Sequence, residues 1–461
     1  MTGRVGASFR DPSGFIYIAD GRLYRQVNRI YERHYERLIS SGLYDALVAE
    51  GMLVRHVEVT VDSARDETAC VLLPDRIPYV SYPYEWCFSQ LKDAALLTLD
   101  IQALSLTRGM TLKDASAFNV QFVGSRPVFI DTLSFEQYVD GAPWIAYRQF
   151  CQHFLAPLAL MSCVDSRMAH LWRSYLDGIP LDLASRLLPA RTRLRPGLLL
   201  HIHAHARSQR RHEDDARHAP RVEVRSLPKT RLLAFVDSLR RTVAGLQPRR
   251  ESTEWGDYYQ ATSYSSEAMA VKEDTVTRLV EAFADRSDVI HDVGANTGRF
   301  SRLLAQGGRY VVSHDIDPAA VERNYIYNKS HHIDSVLPLL LDVANPSPSI
   351  GWALEERTST IERVSRGTVV ALALVHHLAI ANNVPLPHLA QFFATIANAL
   401  VVEFVPKEDP QVQRLLATRP DIFPDYSRDG FERAFSLHFA ILAAEDLPGV
   451  PRTLFAMQRR K

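Results

Sequence analysis

The residues best placed to do chemistry lie in His-Asp-Val-Gly-Ala-Asn-Thr-Gly-Arg-Phe, residues 291–300. A glycine-bearing turn between an apolar run and a helical pattern brings backbone N–H groups at a helix N-terminus toward a ligand. Gly294 permits a sharp turn with no Cβ in the ligand's way, and Gly298 lets the next helix start close to the strand. The spacing is G-x-N-x-G with Asn296 at its centre, and it lacks the third glycine of the dinucleotide fingerprint that serves pyrophosphate. It suits a nucleoside carrying an amino acid, with Asp292 facing an ammonium and backbone donors meeting a carboxylate. S-adenosyl-L-methionine has that chemistry. Asp315, in Ser-His-Asp-Ile-Asp-Pro, follows Gly294 by about 20 residues, the separation of an acid that grips ribose hydroxyls. Asp342 ends a third apolar run and suits an adenine amino group. The plain alternative is three aspartates forming turns and helix caps.

Methyl transfer from a sulfonium is an in-line displacement governed by alignment, and a base matters only when the acceptor must lose a proton. His376 and His377, in the run 375–385 after the fourth apolar segment, are the candidate bases; otherwise one packs on the sheet and the other caps a helix. Asn382-Asn383-Val384-Pro385 does not match the Asn/Asp-Pro-Pro-aromatic loop of enzymes that methylate nucleic-acid bases. Glu403 and Lys407 either line an acceptor pocket or are loop charges. Tyr258, Tyr259, Tyr264 and Lys272 either cover the cofactor or pack a preceding helix. His201, His203 and His205 alternate and would share one face of a strand, but no fourth zinc ligand has obvious spacing, so they read as neutral surface histidines and no metal site is expected.

A second constellation lies earlier in the chain. Asp114, Asn119 and Asp131 surround two short strand patterns, as in the catalytic loop of kinase-like phosphotransferases, where an aspartate orients the hydroxyl and Asn and Asp hold Mg²⁺. Leu112-Lys113-Asp114 replaces the usual His-Arg-Asp, and residues 1–85 hold no glycine-rich phosphate loop. The choices are an active phosphotransferase, a degenerate kinase-like scaffold that presents an acceptor, and an unrelated fold.

The elements that must position these residues divide the chain in three. Residues 1–185 read as an α+β domain: a hairpin turning at Asp20-Gly21 within 14–27, a long helix over 28–50, a helix over 90–104 with Leu91, Ala94, Ala95, Thr98 and Ile101 on its apolar stripe, two strands at 119–123 and 127–131, and a helix over 147–161. Residues 186–250 are Arg- and His-rich and read as a basic connector. Residues 251–461 alternate strand and helix patterns, which predicts a doubly wound α/β domain with a parallel sheet covered on both faces. Its strands are expected at 288–294, 310–316, 336–342, 368–375, 399–405 and 452–460.

Composition sets limits on the partner. Lys+Arg and Asp+Glu each count 53 of 461 residues, so the chain lacks the positive excess of a nucleic-acid coat, and none is expected as a partner. No run approaches the ~20 apolar residues of a membrane span. Four scattered cysteines form neither a metal clip nor a disulfide framework and suit a reducing, cytoplasmic setting.

Residues 255–461 resemble the class I S-adenosylmethionine-dependent methyltransferases through HDVGANTG, HDIDP, LLLDV and ALALVHHL. The whole chain, through LKDASAFNVQF, PVFIDTLSFE and PWIAYRQFCQHFLAPLAL, is similar to the NoeA family of host-specific nodulation proteins and related bacterial methyltransferases. The resemblance implies a Rossmann-like C-terminal sheet that binds S-adenosyl-L-methionine and an N-terminal domain that helps select a small-molecule or saccharide-linked acceptor.

Overall fold

The computed structural model describes residues 3–61, 67–207, 227–249, 265–286, 289–364, 366–417 and 419–460. They form two compact units, one of residues 1–250 with 350–357 and one of residues 251–349 with 358–461.

The first unit holds a five-stranded antiparallel sheet in the order Gly3–Arg4, Gly14–Ala19, Arg22–Asn28, Thr68–Pro74, His56–Val59. Asp20 and Gly21 both take positive φ (50° and 74°), the geometry a tight two-residue hairpin turn requires. The single helix expected over 28–50 is two, Glu32–Ser40 and Leu43–Ala49, because Gly42 at φ 68° breaks the run. The helix over 90–104 extends to Phe88–Thr107 and buries Leu91, Ala94, Ala95, Thr98 and Ile101 as its pattern requires. The pattern over 147–161 is one helical path with a wide i→i+5 turn at Cys151–Leu155, where Pro157 lacks the N–H that a regular helix would use.

The described part of 186–250 belongs to this unit and is no separate connector. Helix Lys229–Ala244 buries Leu232, Val236, Leu239 and Val243, and Lys92 Nζ donates to the Ala244 and Leu246 carbonyls at 2.8 Å each. The histidine run is helical instead of extended.

In the second unit, helix α1 (Ser266–Phe283) precedes an alternating series. It runs β1 (Ile290–Val293), α2 (Arg299–Ala305), β2 (Val311–Asp315), α3 (Pro318–Ser330), β3 (Val336–Leu340), α4 (Thr360–Val364), β4 (Gly367–Ala371), α5 (Leu386–Ile396) and β5 (Ala397–Phe404). Helices α6 (Pro410–Leu416) and α7 (Arg428–Ser436) lead to β6 (Phe439–Asp446) and β7 (Thr453–Arg459). The sheet order is β3-β2-β1-β4-β5-β7-β6. β1 to β5 are parallel, and β7 runs antiparallel between β5 and β6.

The fold is therefore Rossmann-like, with the closing antiparallel strand as a departure from the all-parallel expectation. β1 to β4 are almost wholly buried because helices cover both faces, which is why they read as continuous apolar runs. One core layer gathers Val369, Leu389, Phe393, Phe431 and Phe435, and the other Val276, Leu279, Ile290, Val311 and Leu454. β6 sits at the sheet edge, and its half-exposed residues give a weak apolar signal, so the sequence pattern passes over it. The strand order reverses at β1, between β2 and β4, and a crevice opens beyond the carboxyl ends of such strands.

Candidate functional site

That crevice is a cavity of about 310 Å³ within the second unit. Its wall includes Asp292, Gly294, Asn296, Asp315, Asp342 and His377. The sequence-predicted acids are thus brought together from the ends of β1, β2 and β3. Gly298 and His376 do not line it.

The glycine turn is built by its left-handed residues. Gly294 (φ 80°) carries no Cβ, and one there would sit 3.3 Å from Leu374 Cδ1. Asn296 also takes positive φ (51°), a conformation asparagine tolerates better than most residues. Gly298 (φ 77°) serves packing: a Cβ there would fall 2.3–2.5 Å from the Asn324 amide. Asn324 is itself fixed by Nδ2 donating to Ser313 Oγ at 2.8 Å and by Arg302 donating to its Oδ1 at 3.0 Å.

The backbone donors of this turn correct the sequence expectation. The Gly294 and Ala295 N–H groups both donate to the His314 carbonyl at 2.9 Å, and the Gly298 N–H to the Ala295 carbonyl at 2.9 Å. Asn296 N donates to Asp315 Oδ2 at 2.7 Å, and Thr297 N to Asn296 Oδ1 at 2.8 Å. From 294 to 298 every N–H group is taken up within the protein, three by His314 and Asp315 of β2 and two within the loop, so they do not aim at a ligand carboxylate as the sequence reading expected.

Each acid combines a turn role with a place on the wall. Asp292 accepts from Ser301 Oγ at 2.6 Å. Burial pushes its carboxyl up to about 6, against the Ser301 hydrogen bond. Asp315 accepts from Asn296 N and from Asp317 N at 2.9 Å. Its carboxyl is also raised to about 6 by burial, against those backbone donors. Asp342 accepts from Ala344 N at 2.9 Å. Among the described residues, none of the three is paired with a Lys or Arg. A carboxylate offers about four lone-pair directions, so one or two turn bonds leave it able to receive ligand hydroxyls or amines.

Apolar residues that sequence reasoning passed over complete the cavity: Met269 on α1, Phe300 on α2, Ile316 beside Asp315, and Leu372 and Leu374 after β4. Ile316 is 59% exposed although apolar. An isoleucine set between two acids just past a strand was the signal for it.

Lys272 lies on α1 and lines the cavity, buried and paired through Nζ with Glu403 Oε2 at 2.7 Å. Glu403 is fully buried at the end of β5 and is neither a cavity residue nor a loop charge. Lys407 pairs with Asp421 at 2.7 Å on the surface. Tyr258, Tyr259 and Tyr264 lie outside the described residues. The His376 ring is buried with neither nitrogen hydrogen-bonded, and it lies 4.0 Å, centroid to centroid, from that of His377. Burial, then the charge of Arg452, pushes His377 down to about 4.

The earlier constellation has a different character. Asp131 is ion-paired with Arg25 and accepts from Ser134 Oγ and from Leu133 N. Burial is the largest influence and opposes ionisation, but Arg25 together with the Ser134 and Leu133 hydrogen bonds outweighs it and holds the carboxyl below its ordinary range. Asn119 Nδ2 donates to Ser134 Oγ at 3.1 Å, and Asp114 caps Ser116 N at 2.9 Å. The three residues do meet, in a half-buried polar cluster in which Asp131 is paired with the Arg25 guanidinium.

His201 and His203 are core residues and His205 is half-buried, correcting their placement on the surface. His201 and His203 are 0% and 2% exposed. His201 Nδ1 meets Tyr147 Oη at 2.9 Å, His203 bridges Ser185 (2.8 Å) and Thr192 (2.9 Å), and His205 stacks on Tyr147 at 4.9 Å. Among the described residues no cluster of three or more His, Cys, Asp or Glu could hold a metal, and no helix is long and apolar enough to cross a membrane.

The sheet order, with its cavity at the carboxyl edge, defines a Rossmann-like α/β domain. No family model matches the chain. Over 472 residues it is 36% identical to the nodulation protein NoeA of Rhizobium meliloti (strain 1021), spanning 99% of this chain and 96% of that protein. The chain belongs to the NoeA family. Among solved structures it is similar to magnesium protoporphyrin IX methyltransferase (ChlM) of Synechocystis PCC 6803 with bound SAH, at 15% identity over 42% of this chain and 84% of that one, TM-score 0.30. It is also similar to the bifunctional kinase-methyltransferase WbdD, at 16% identity over 44% of this chain and 41% of that one, TM-score 0.29.

Proposed function

We propose that the second unit is an S-adenosyl-L-methionine-dependent methyltransferase acting on a small-molecule or saccharide-linked acceptor. The observation that carries this reading is the meeting of Asp292, Asp315 and Asp342, from three consecutive strands, on one cavity beside the Gly294–Asn296 turn. The volume, about 310 Å³, falls in the range of small-molecule sites. Asp292 suits the ligand's ammonium, Asp315 the ribose hydroxyls, and Asp342 the adenine amine, with Ile316 against the base.

The cofactor, when bound, supplies an electrophilic methyl group. The chain's own part is to align it and, where the acceptor must lose a proton, to receive that proton. His377 is the better placed of the two histidines, since it borders the cavity and burial keeps its imidazole neutral at neutral pH. His376 stands behind it as the second candidate. The NoeA relative is named for nodulation; for this chain a nodulation role rests on that kinship.

The test is calorimetric titration with S-adenosyl-L-methionine followed by assay of labelled methyl transfer into fractionated small molecules and saccharides. Wild-type protein is expected to bind near micromolar, about 8 kcal/mol. His377→Asn is expected to keep that affinity and lose about 100-fold or more in turnover. A wild-type protein that binds no adenosyl compound ends the proposal.

A further inference from the structure

If the loop N–H groups from 294 to 298 are all engaged within the protein, the carboxylate of an amino-acid-bearing nucleoside needs another partner. Among the described residues lining the cavity, Lys272 is the sole lysine or arginine.

We propose that Lys272 is the residue that binds the carboxylate of the cofactor, and that Glu403, Arg452 and Asp409 are positioning residues that hold its ammonium at the cavity wall. The inference rests on the S-adenosylmethionine reading of this cavity and assigns a contact the sequence pattern had given to the backbone.

Three observations support it. Lys272 is 3% exposed, and burial lowers its pKa against the pull of Glu403, which holds its Nζ at 2.7 Å. Glu403 divides its charge: Oε2 faces Lys272 at 2.7 Å and Oε1 faces Arg452 at 3.4 Å. Arg452 is in turn gripped by Asp409, Nε to Oδ2 at 2.7 Å and Nη2 to Oδ1 at 3.2 Å. Lys272, Arg452, Glu403 and Asp409 thus form one buried ionic network, and Lys272 is its member at the cavity wall. Finally, Lys272 and Asp292 lie close enough for each to act on the other's charge, and Lys272 Nζ sits 5.2 Å from the centroid of Phe300, another wall residue. A cation and an acid on the wall of one cavity are the complement of a zwitterionic α-amino acid. A role confined to pinning α1 to β5 would place the pair anywhere along that contact and would not require it to border the cavity.

The experiment compares S-adenosylmethionine with its decarboxylated analogue, which keeps the ammonium, sulfonium and adenosine. Wild-type protein is expected to bind the parent at least about tenfold more tightly than the analogue, the scale of one charge-assisted contact. Lys272→Met is expected to weaken the parent about 10- to 100-fold and the analogue less than about threefold. Equal binding of the two ligands by wild type overturns the assignment, and that arm needs no variant to fold. Equal weakening of both in Lys272→Met also overturns it, marking a structural pin. Because Lys272→Met leaves Glu403 buried beside an apolar side chain, Lys272→Met/Glu403→Gln is measured beside it and is expected to show the same ligand selectivity. Failure of wild type to bind either compound rejects the cofactor reading itself, an outcome separate from the other two.

Discussion

Two groups of acidic residues, one in each unit, read alike in the sequence and behave as opposites in the structure. Asp114, Asn119 and Asp131 meet in the first unit, and Arg25 enters their cluster and pairs with Asp131. Asp292, Asp315 and Asp342 meet in the second unit around an open cavity, and among the described residues no cation pairs with them. The electrostatic consequences follow. Asp131 is held below the ordinary carboxylate range by its guanidinium, whereas burial without an ion partner lifts Asp292 and Asp315 to about 6. A cluster that supplies its own counter-charge fits a structural role, and one that lines a cavity without an ion partner fits the ligand site proposed above.

The largest effects should separate the two groups most cleanly. Asp131→Asn leaves Arg25 largely buried without its partner and should destabilise the first unit by on the order of 3 kcal/mol. The melting temperature should fall while the folded protein keeps its wild-type affinity for S-adenosylmethionine. Loss of that affinity in folded Asp131→Asn would break the comparison. Asp315→Ala should do the reverse: affinity should fall about 100-fold or more, as expected for lost charge-assisted bonds, with a smaller change in melting temperature.

Next in size is the dependence on pH, whose sign differs with and without ligand. Asp292 and Asp315 titrate near 6 in the fold and near 4 when unfolded. The folded state thus binds more protons in that interval, so their contribution to stability is fully present below about 4 and is lost as pH rises through 6. Ligand binding, which uses the ionised carboxylates, should weaken by up to about tenfold per pH unit for each carboxylate as pH falls below 6. Melting curves and titrations between pH 4.5 and 7.5 in ~0.1 M salt would show both trends. In Asp292→Asn each should be roughly halved, and parallel trends would refute the shared cause.

The smallest effect calibrates the rest. Lys407 pairs with Asp421 at 2.7 Å on the surface, and Lys407→Ala should cost no more than about 1 kcal/mol of stability, in keeping with exposed ion pairs. A larger loss by chemical denaturation would mean that its bond to the Phe423 carbonyl at 2.7 Å braces the loop as well.

Much of this was legible beforehand where a signal is local. Asp20-Gly21 announced its hairpin, the apolar stripe from Leu91 to Ile101 its buried helix, and the runs ending near Asp292, Asp315 and Asp342 their strands. What stayed illegible depended on residues far apart in the chain. Nothing around Asp131 reveals that Arg25 will reach it, and nothing around Lys272 reveals Glu403 and Arg452 beside it. His201, His203 and His205 alternate as on a strand, but packing against Tyr147, Ser185 and Thr192 placed them on a buried helix.

By itself, then, the sequence determined the alternating α/β order of the second half, the strand ends that carry the three acids, and the left-handed turn at Gly294, because hydrophobic period and glycine chemistry act over a few residues. Only the tertiary structure decided which cluster takes in an arginine and which lines a cavity, and that His314 and Asp315 take up N–H groups of the turn. It also decided that Lys272 borders the cavity as an ion-paired, buried cation. Those outcomes depend on which charges and carbonyls the fold brings within a few ångströms, and hydrogen bonding and ion pairing are set by that distance, whatever the separation along the chain.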